Sequence, residues 1–343
     1  MQFAGGANLK ALVTGGAGFI GSHLSEYLLS RGHEVAIIDD LSTGCLENIR
    51  HLMNTSRFRF AVDTITNEAV MDRMASECDI IYHLAAAVGV EMIIRSPIHT
   101  IETNIMGSAA VLQVANRYRR KVVLASTSEI YGKSDTVPFA EDDDRVLGPT
   151  IHSRWSYSTS KAVDEFLALA YSKERGLPVV ITRFFNTIGP RQTGRYGMVV
   201  PRFVAQALTG QPITVYGDGN QTRCFADVRD LVRGVVALAE CPEAAGQVFN
   251  LGSTREVSIT DLARLVVSLT DSSSEIIYIP YDQAYEPGFE DMRRRVPDVS
   301  KVGALIGWGA TIPLEETILA VAEDLRAWDG QLDTGDPTKC TLW

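Results

Sequence analysis

The sequence is poor in the features that mark secreted, membrane-borne or nucleic-acid-binding chains. Its five cysteines, Cys45, Cys78, Cys224, Cys241 and Cys340, are odd in number, lie far apart and form no CxxC pair. That argues against both a disulfide framework and a structural zinc site, and the five read as reduced packing thiols. No run of about 18 uncharged apolar residues occurs, and the opening MQFAGGANLKALVTGG lacks an apolar signal-peptide core. Neither membrane nor export is expected, and the expected compartment is cytoplasmic. Basic charge is also short: 32 Lys and Arg stand against 42 Asp and Glu, a formal net charge of −10. This speaks against a nucleic-acid surface and leaves small-molecule chemistry. The acidic run Glu141-Asp142-Asp143-Asp144 is one continuous loop whose carboxylates cannot all converge on one ion, so no metal is expected. The ending Cys340-Thr341-Leu342-Trp343 has the outline of a prenylation box, but it closes on Trp with no polybasic stretch before it. Internal repeats are missing too.

What is present is a chain of 343 residues, 45% apolar, long enough for one large or two modest domains. Short apolar, β-branched runs (KALVTG, HEVAIIDD, DIIYHLA, KVVLAST, PVVITRFF) alternate with helix-period segments. That rhythm predicts an α/β fold, a doubly wound parallel sheet of Rossmann type covered on both faces. After Asn186 the pattern loosens into Gly- and Pro-bearing loops around the helix-like PRFVAQALTG, then returns to sheet-like segments, so a smaller C-terminal substrate lobe is expected to be interleaved with the first. The expected division is a nucleotide-binding domain over 8–186 with a return segment at about 226–253, a substrate lobe over 187–225 and 254–328, and a tail over 329–343.

Thr14-Gly15-Gly16-Ala17-Gly18-Phe19-Ile20-Gly21 falls where a predicted strand gives way to a helix. Gly15 suits the tight turn, Gly18 the close approach of backbone to a pyrophosphate, and Gly21 close helix–strand packing, while the helix start supplies free N–H groups. Eighteen residues after Gly21 the second strand ends at Asp39. A carboxylate there accepts hydrogen bonds from ribose hydroxyls and repels a 2′-phosphate, which selects NAD over NADP. Asp63, ending RFRFAVD, is the candidate to contact the adenine.

Tyr157 and Lys161 are four apart in a helix-period segment and share a face. An ammonium beside a phenol favours the phenolate, so Lys161 is expected to lower the Tyr157 pKa and make it a base for a sugar hydroxyl. The strand KVVLASTSEIYG delivers hydroxyls and a carboxylate at its C-terminal end, where ligands bind in such sheets.

With TGGAGFIG, HLAA, STSEIYG, YSTSK, RFFNTIGPR, TVYGDGNQTR and RRRVPD, the chain resembles the extended short-chain dehydrogenases/reductases that act on nucleotide sugars, over roughly residues 8 to 325. The resemblance implies that Phe19 and Ile20 of the glycine loop, Leu84, Ala85, Ala86 and Asn104 line the cofactor. It makes Thr127 the partner of the reacting hydroxyl, Tyr157 the base and Lys161 also the holder of the nicotinamide ribose. Asn186, Arg191, Val199, Val200, Tyr216 and Arg223 would bind the nucleotide diphosphate. Thr127-Ser128-Glu129 looks like the triplet of UDP-glucuronate decarboxylases, and Arg295-Val296-Pro297-Asp298 resembles the stretch whose arginine faces the substrate carboxylate in that class. Under this reading Glu129 carries a raised pKa and shuttles a proton at C5. Ser158-Thr159-Ser160 is closer to 4-epimerases, which remain the alternative. A 4,6-dehydratase ranks behind because Ser128 stands where Asp is expected, and a catalytically silent NAD-sensing scaffold is disfavoured by the retained Tyr157 and Lys161. A UDP-sugar substrate and a homodimer, paired through helices beginning near Pro97 and Tyr157, complete the expectation.

Overall fold

A computed structural model describes residues 8–89, 96–194, 197–284 and 292–328. Six strands of the first half, β1 (Lys10–Thr14), β2 (Glu34–Asp39), β3 (Phe58–Val62), β4 (Ile80–His83), β5 (Lys121–Thr127) and β6 (Val179–Phe184), join the later β11 (Gln247–Leu251) in one sheet. Its order is β11-β6-β5-β4-β1-β2-β3, parallel throughout. The expected doubly wound α/β sheet is therefore present. The apolar runs do not alternate with polar residues because both faces are covered. Val13, Ile37, Ile80, Val123 and Val180 pack on one side with α1 (Phe19–Ser30) and α6 (Val228–Glu240). Leu12, Ile38, Ile81, Val122 and Ile181 pack on the other with α2 (Glu68–Glu77), α3 (Pro97–Tyr118) and α4 (Arg154–Arg175).

A second core gathers α5 (Val199–Leu208), α7 (Ile259–Thr270) and α9 (Leu314–Trp328) around Phe203, Val204, Leu262, Val266 and Ile318. Short strand pairs edge it: β7 (Thr187–Ile188) with β10 (Ala226–Asp227), β9 (Thr222–Cys224) with β12 (Glu256–Ser258), and β8 (Ile213–Tyr216) with β13 (Ile276–Ile279). The chain returns to the first core through α6 and β11, and α8 (Ser300–Ile306) adds Val302 there. Asp230 of α6 ties this crossing together, accepting the backbone N–H groups of Thr311 and Ile312 ahead of α9. No helix among the described residues is long and apolar enough to cross a membrane.

The acidic loop is absorbed into local bonding: Glu141 accepts from the Asn250 backbone and Asp143 from that of Ala140. Cys78, Cys224 and Cys241 are free thiols, but Cys45 is disulfide-bonded, which corrects the reading of every cysteine as reduced. The sequence 329–343, with its tail and terminal Cys340 motif, and most of the charged loop after Tyr281 lie outside the described residues.

Candidate active site

The candidates for the nucleotide lie along the C-terminal ends of β1 to β4. Gly15 turns with φ +69°, and a Cβ there would come within 2.8 Å of the Ala85 nitrogen; one on Gly21 would come within 2.1 Å of the Gly15 oxygen. Only glycine lets α1 start this close to the exit of β4, where Leu84 and Ala85 donate to the backbone and hydroxyl oxygens of Thr14. Gly18 caps α1 with no side-chain bond, leaving the first N–H groups of Phe19 and Ile20 as an anion cradle. Asp39 is buried, which pushes its carboxyl pKa upward against the backbone N–H groups of Leu41 and Ala17, each 2.9 Å away. The Gly18 N–H also favours the charged form, and with three donors on its four lone pairs the carboxylate can still accept a ribose hydroxyl. Asp63 is half-buried beside it and accepts from Thr64 and Asn67. Asn104 reaches from α3 to the Ala87 backbone at 2.8 Å and to the Ser160 hydroxyl at 3.1 Å. A cradle with no room for side chains at Gly15 and Gly21, an uncapped helix start and a carboxylate at the end of β2 fits a dinucleotide.

The chemistry-bearing residues converge where β5 ends. Thr127 closes the strand, its hydroxyl accepting the Glu129 N–H at 3.2 Å and lying where it favours ionisation of the Tyr157 phenol. Ser128 is buried in the single tight turn Ser128–Tyr131 that follows. Tyr157 and Lys161 lie on the same stretch of α4, as their spacing requires. The expected lowering of the Tyr157 pKa is not what this arrangement produces. Burial raises it, and the negative charges of Glu129 and Asp164 push the same way. The Lys161 ammonium is meanwhile paired with Asp164 at 2.8 Å.

Glu129 corrects a second expectation. Its carboxylate is held by Arg154 at 2.5 Å on one oxygen and by Arg295 at 2.7 Å on the other, with side chains 12%, 4% and 9% exposed in that order. Burial pushes Glu129 up, but the two guanidiniums outweigh it and bring the pKa down to about 2 rather than up. The sequence reading missed Arg154. The signal available was its place three residues ahead of Tyr157 on one helix face.

At the edge of the first domain Asn186 follows β6, and its side-chain oxygen receives Arg295 of the second lobe at 3.5 Å. Buried Arg223 of β9 adds its charge near Glu129 and donates to the Met292 carbonyl. Val199 and Val200 open α5, and Tyr216 ends β8 under the Arg202 guanidinium at 4.3 Å. Arg191 does not join this group. It sits in a left-handed conformation, φ 67°, which turns its side chain onto α1, where it pairs with Glu26 at 2.5 Å and donates to Ser22.

Residues 12–321 match the family model of GDP-mannose 4,6 dehydratase. The chain is 42% identical over 308 residues to a UDP-N-acetyl-alpha-D-glucosaminuronate decarboxylase of Bacillus cytotoxicus, covering 90% of this chain and 94% of that one. It is 39% identical to UDP-glucuronic acid decarboxylase 1 of Xenopus tropicalis, covering 90% and 70%. Among solved structures it is similar to UDP-glucuronic acid 4-epimerase from Bacillus cereus in complex with UDP-glucuronic acid and NAD, with a TM-score of 0.84, 30% identity, and coverage of 93% and 99%.

Proposed function

The chain belongs to the GDP-mannose 4,6-dehydratase family, and on that premise we propose that it is an NAD-dependent decarboxylase of UDP-glucuronate working through a 4-keto sugar. The observation that carries this reading is Glu129 held between Arg154 and Arg295 beside Tyr157 and Thr127. An arginine buried in a pocket repays its desolvation best when an anion meets it there. Arg295, already sharing Glu129 with Arg154, is the one placed to turn to a substrate carboxylate. The decarboxylase relatives support the same reading.

NAD, which the Gly15–Gly21 turn and Asp39 would hold, would supply the hydride acceptor and donor for C4. Tyr157 takes the proton of the 4-hydroxyl, which Thr127 orients, and Lys161 holds the nicotinamide ribose. The resulting ketone is β to the C6 carboxylate, so the C5–C6 bond breaks with its electron pair passing to the C4 oxygen, beside the Tyr157 phenol. Arg295 orients the carboxylate for that step. Glu129, held ionised, is a poor proton donor, so water supplies the C5 proton and Glu129 serves to aim the two arginines. Asn186, Arg223 and the backbone at Val199 and Val200 hold the diphosphate, with Tyr216 on the nucleoside side. Residues 8–186 and 226–253 thus carry the cofactor and 187–225 and 254–328 the sugar nucleotide, in a cytoplasmic enzyme.

A 4-epimerase is the second reading, favoured by Ser158-Thr159-Ser160 and by the solved epimerase of similar fold. Mass spectrometry of products from UDP-glucuronate, UDP-N-acetylglucosaminuronate and UDP-glucose separates the two. A decarboxylase shortens a uronate by carbon dioxide, whereas an epimerase returns every substrate at unchanged mass.

We also propose that the active form is a homodimer joined through α3 and α4. Ile98 and Met106 of the first helix and Phe166 of the second are 73%, 62% and 67% exposed, and Val163 lies open beside them. Leu167 packs inward instead. A second copy covering this face is the occupant, and light scattering returning the mass of one chain would refute it.

A further inference from the structure

A file of buried polar side chains runs beneath the catalytic helix. The Thr14 hydroxyl at the end of β1 meets His83 Nδ1 at 2.8 Å, and His83 Nε2 meets the Ser108 hydroxyl of α3 at 3.1 Å. The Ser108 hydroxyl in turn favours the ionised form of Asp164, which pairs with Lys161 at 2.8 Å. Asp164 is fully buried and Lys161 nearly so, 0% and 3% exposed. Of the other buried charges on α4, Arg154 is taken by Glu129 and Glu165 by Arg183, whereas Asp164 is placed on Lys161. Its effect is electrostatic, because it faces the ammonium that is to act on the phenol.

We propose that Asp164 is a positioning residue that sets, through Lys161, the pH at which Tyr157 acts as a base. This rests on Tyr157 being the base, as proposed above. The charged and titratable groups around the phenol, among the described residues, are few. Its own helix contributes Arg154, Lys161, Asp164 and, next to it, Glu165. The turn after β5 contributes Glu129, and the second lobe contributes Arg295 and Arg223, both acting on Glu129. Glu165 is committed to Arg183 of β6. β4 contributes His83, whose pKa burial and then the Lys161 charge lower to about 3, so it stays neutral. The buried face of α3 offers only Thr100, Asn104 and Ser108, while its His99 and Glu102 are exposed. Asp164 is thus the acid that directly offsets Lys161, and its negative charge opposes ionisation of Tyr157.

The test is the pH dependence of kcat for the full-length enzyme with NAD, comparing wild type, Asp164→Asn, Asp164→Glu and Tyr157→Phe. Asp164→Asn keeps the shape and the Ser108 contact but removes the charge. Its acid limb should move to lower pH by about one unit or more, the usual worth of one nearby charge, and Asp164→Glu should restore the wild-type limb. An unmoved limb, or one moved upward, with Tyr157→Phe inactive overturns the role of Asp164 while leaving the base in place. An active Tyr157→Phe overturns the base itself. If Asp164→Asn does not fold, Ser108→Ala is read in its place by the tyrosinate absorbance that Tyr157→Phe lacks. Loss of the hydroxyl leaves the Asp164 charge in place and commits it more fully to Lys161, so that absorbance should appear at higher pH than in wild type, and an unchanged or lowered titration overturns the proposal.

Discussion

At the start of α4 two guanidiniums, Arg154 and Arg295, share the single carboxylate of Glu129, whereas eleven residues further along the helix Glu165 meets Arg183 one to one. The second pair is closed. Arg183 grips both oxygens of Glu165 at 2.8 and 2.9 Å, Ser126 donates to the same carboxylate, and the arginine Nη1 donates to Tyr131 and the Glu141 carbonyl. Breaking it leaves a buried charge. The two buried ion clusters on one helix therefore differ in form: one fastens β5, β6 and α4 together in a one-to-one pair, the other joins β5, α4 and the second lobe through two arginines on one carboxylate, and under the proposed function it is the latter that offers an arginine to the substrate.

The largest effect expected is on the closed pair. Arg183→Leu should lower unfolding stability in denaturant titrations by about 3–5 kcal/mol, the usual loss when a buried charge is orphaned. Arg295→Ala leaves Glu129 with Arg154, so its stability cost should stay within about 1.5–3 kcal/mol, the worth of a charged hydrogen bond. The apparent KM for UDP-glucuronate should nevertheless rise far more than the Kd for UDP. Equal losses of stability would erase the contrast between the clusters.

Acid sharpens the same comparison. Glu129 titrates near 4.5 when unperturbed and at about 2 in the folded protein. Its ionised form therefore stabilises the fold fully above about 4.5, and that share is lost as pH falls toward 2. Glu129→Gln should show a flatter stability profile than wild type across this window; parallel profiles would mean that the arginines do not hold Glu129 ionised. At the cofactor end, Asp39→Ala should narrow the preference for NAD over NADP by about 1.5–3 kcal/mol in titrations of cofactor-free protein. The smallest change is expected from Arg191→Ala. Its contact with Glu26 is half exposed, so UDP affinity and stability should each move by less than about 1 kcal/mol.

The parts of the site legible in the sequence are those written in local spacing. Gly15, Gly18 and Gly21 sit within seven residues at a strand–helix junction, and Tyr157 and Lys161 within one helical turn, so periodicity alone places them. The parallel sheet was legible for the same reason, as short apolar runs separated by helix-period stretches. Charge was not. Glu129, Arg154 and Arg295 are far apart in the chain and meet only when β5, α4 and the second lobe pack together. The sequence reading thus put Glu129 beside a substrate anion and expected a raised pKa, without the guanidiniums that lower it. Lys161 failed likewise. The pair with Lys161 was read for its effect on Tyr157, while Asp164, three residues further along the same face, went unread. Arg191 was assigned by motif, and its left-handed backbone conformation, invisible in the sequence, turns it onto α1.

The central claim is that the Glu129 cluster handles the carboxylate of a sugar nucleotide. The most direct measurement is release of labelled carbon dioxide from UDP-glucuronate carrying the label at its carboxyl carbon. The account predicts one carbon dioxide for each uronate consumed by the wild-type enzyme, with a UDP-pentose or its 4-ketone as product. Consumption without label release, with a 4-epimer retaining its carboxylate, would contradict it.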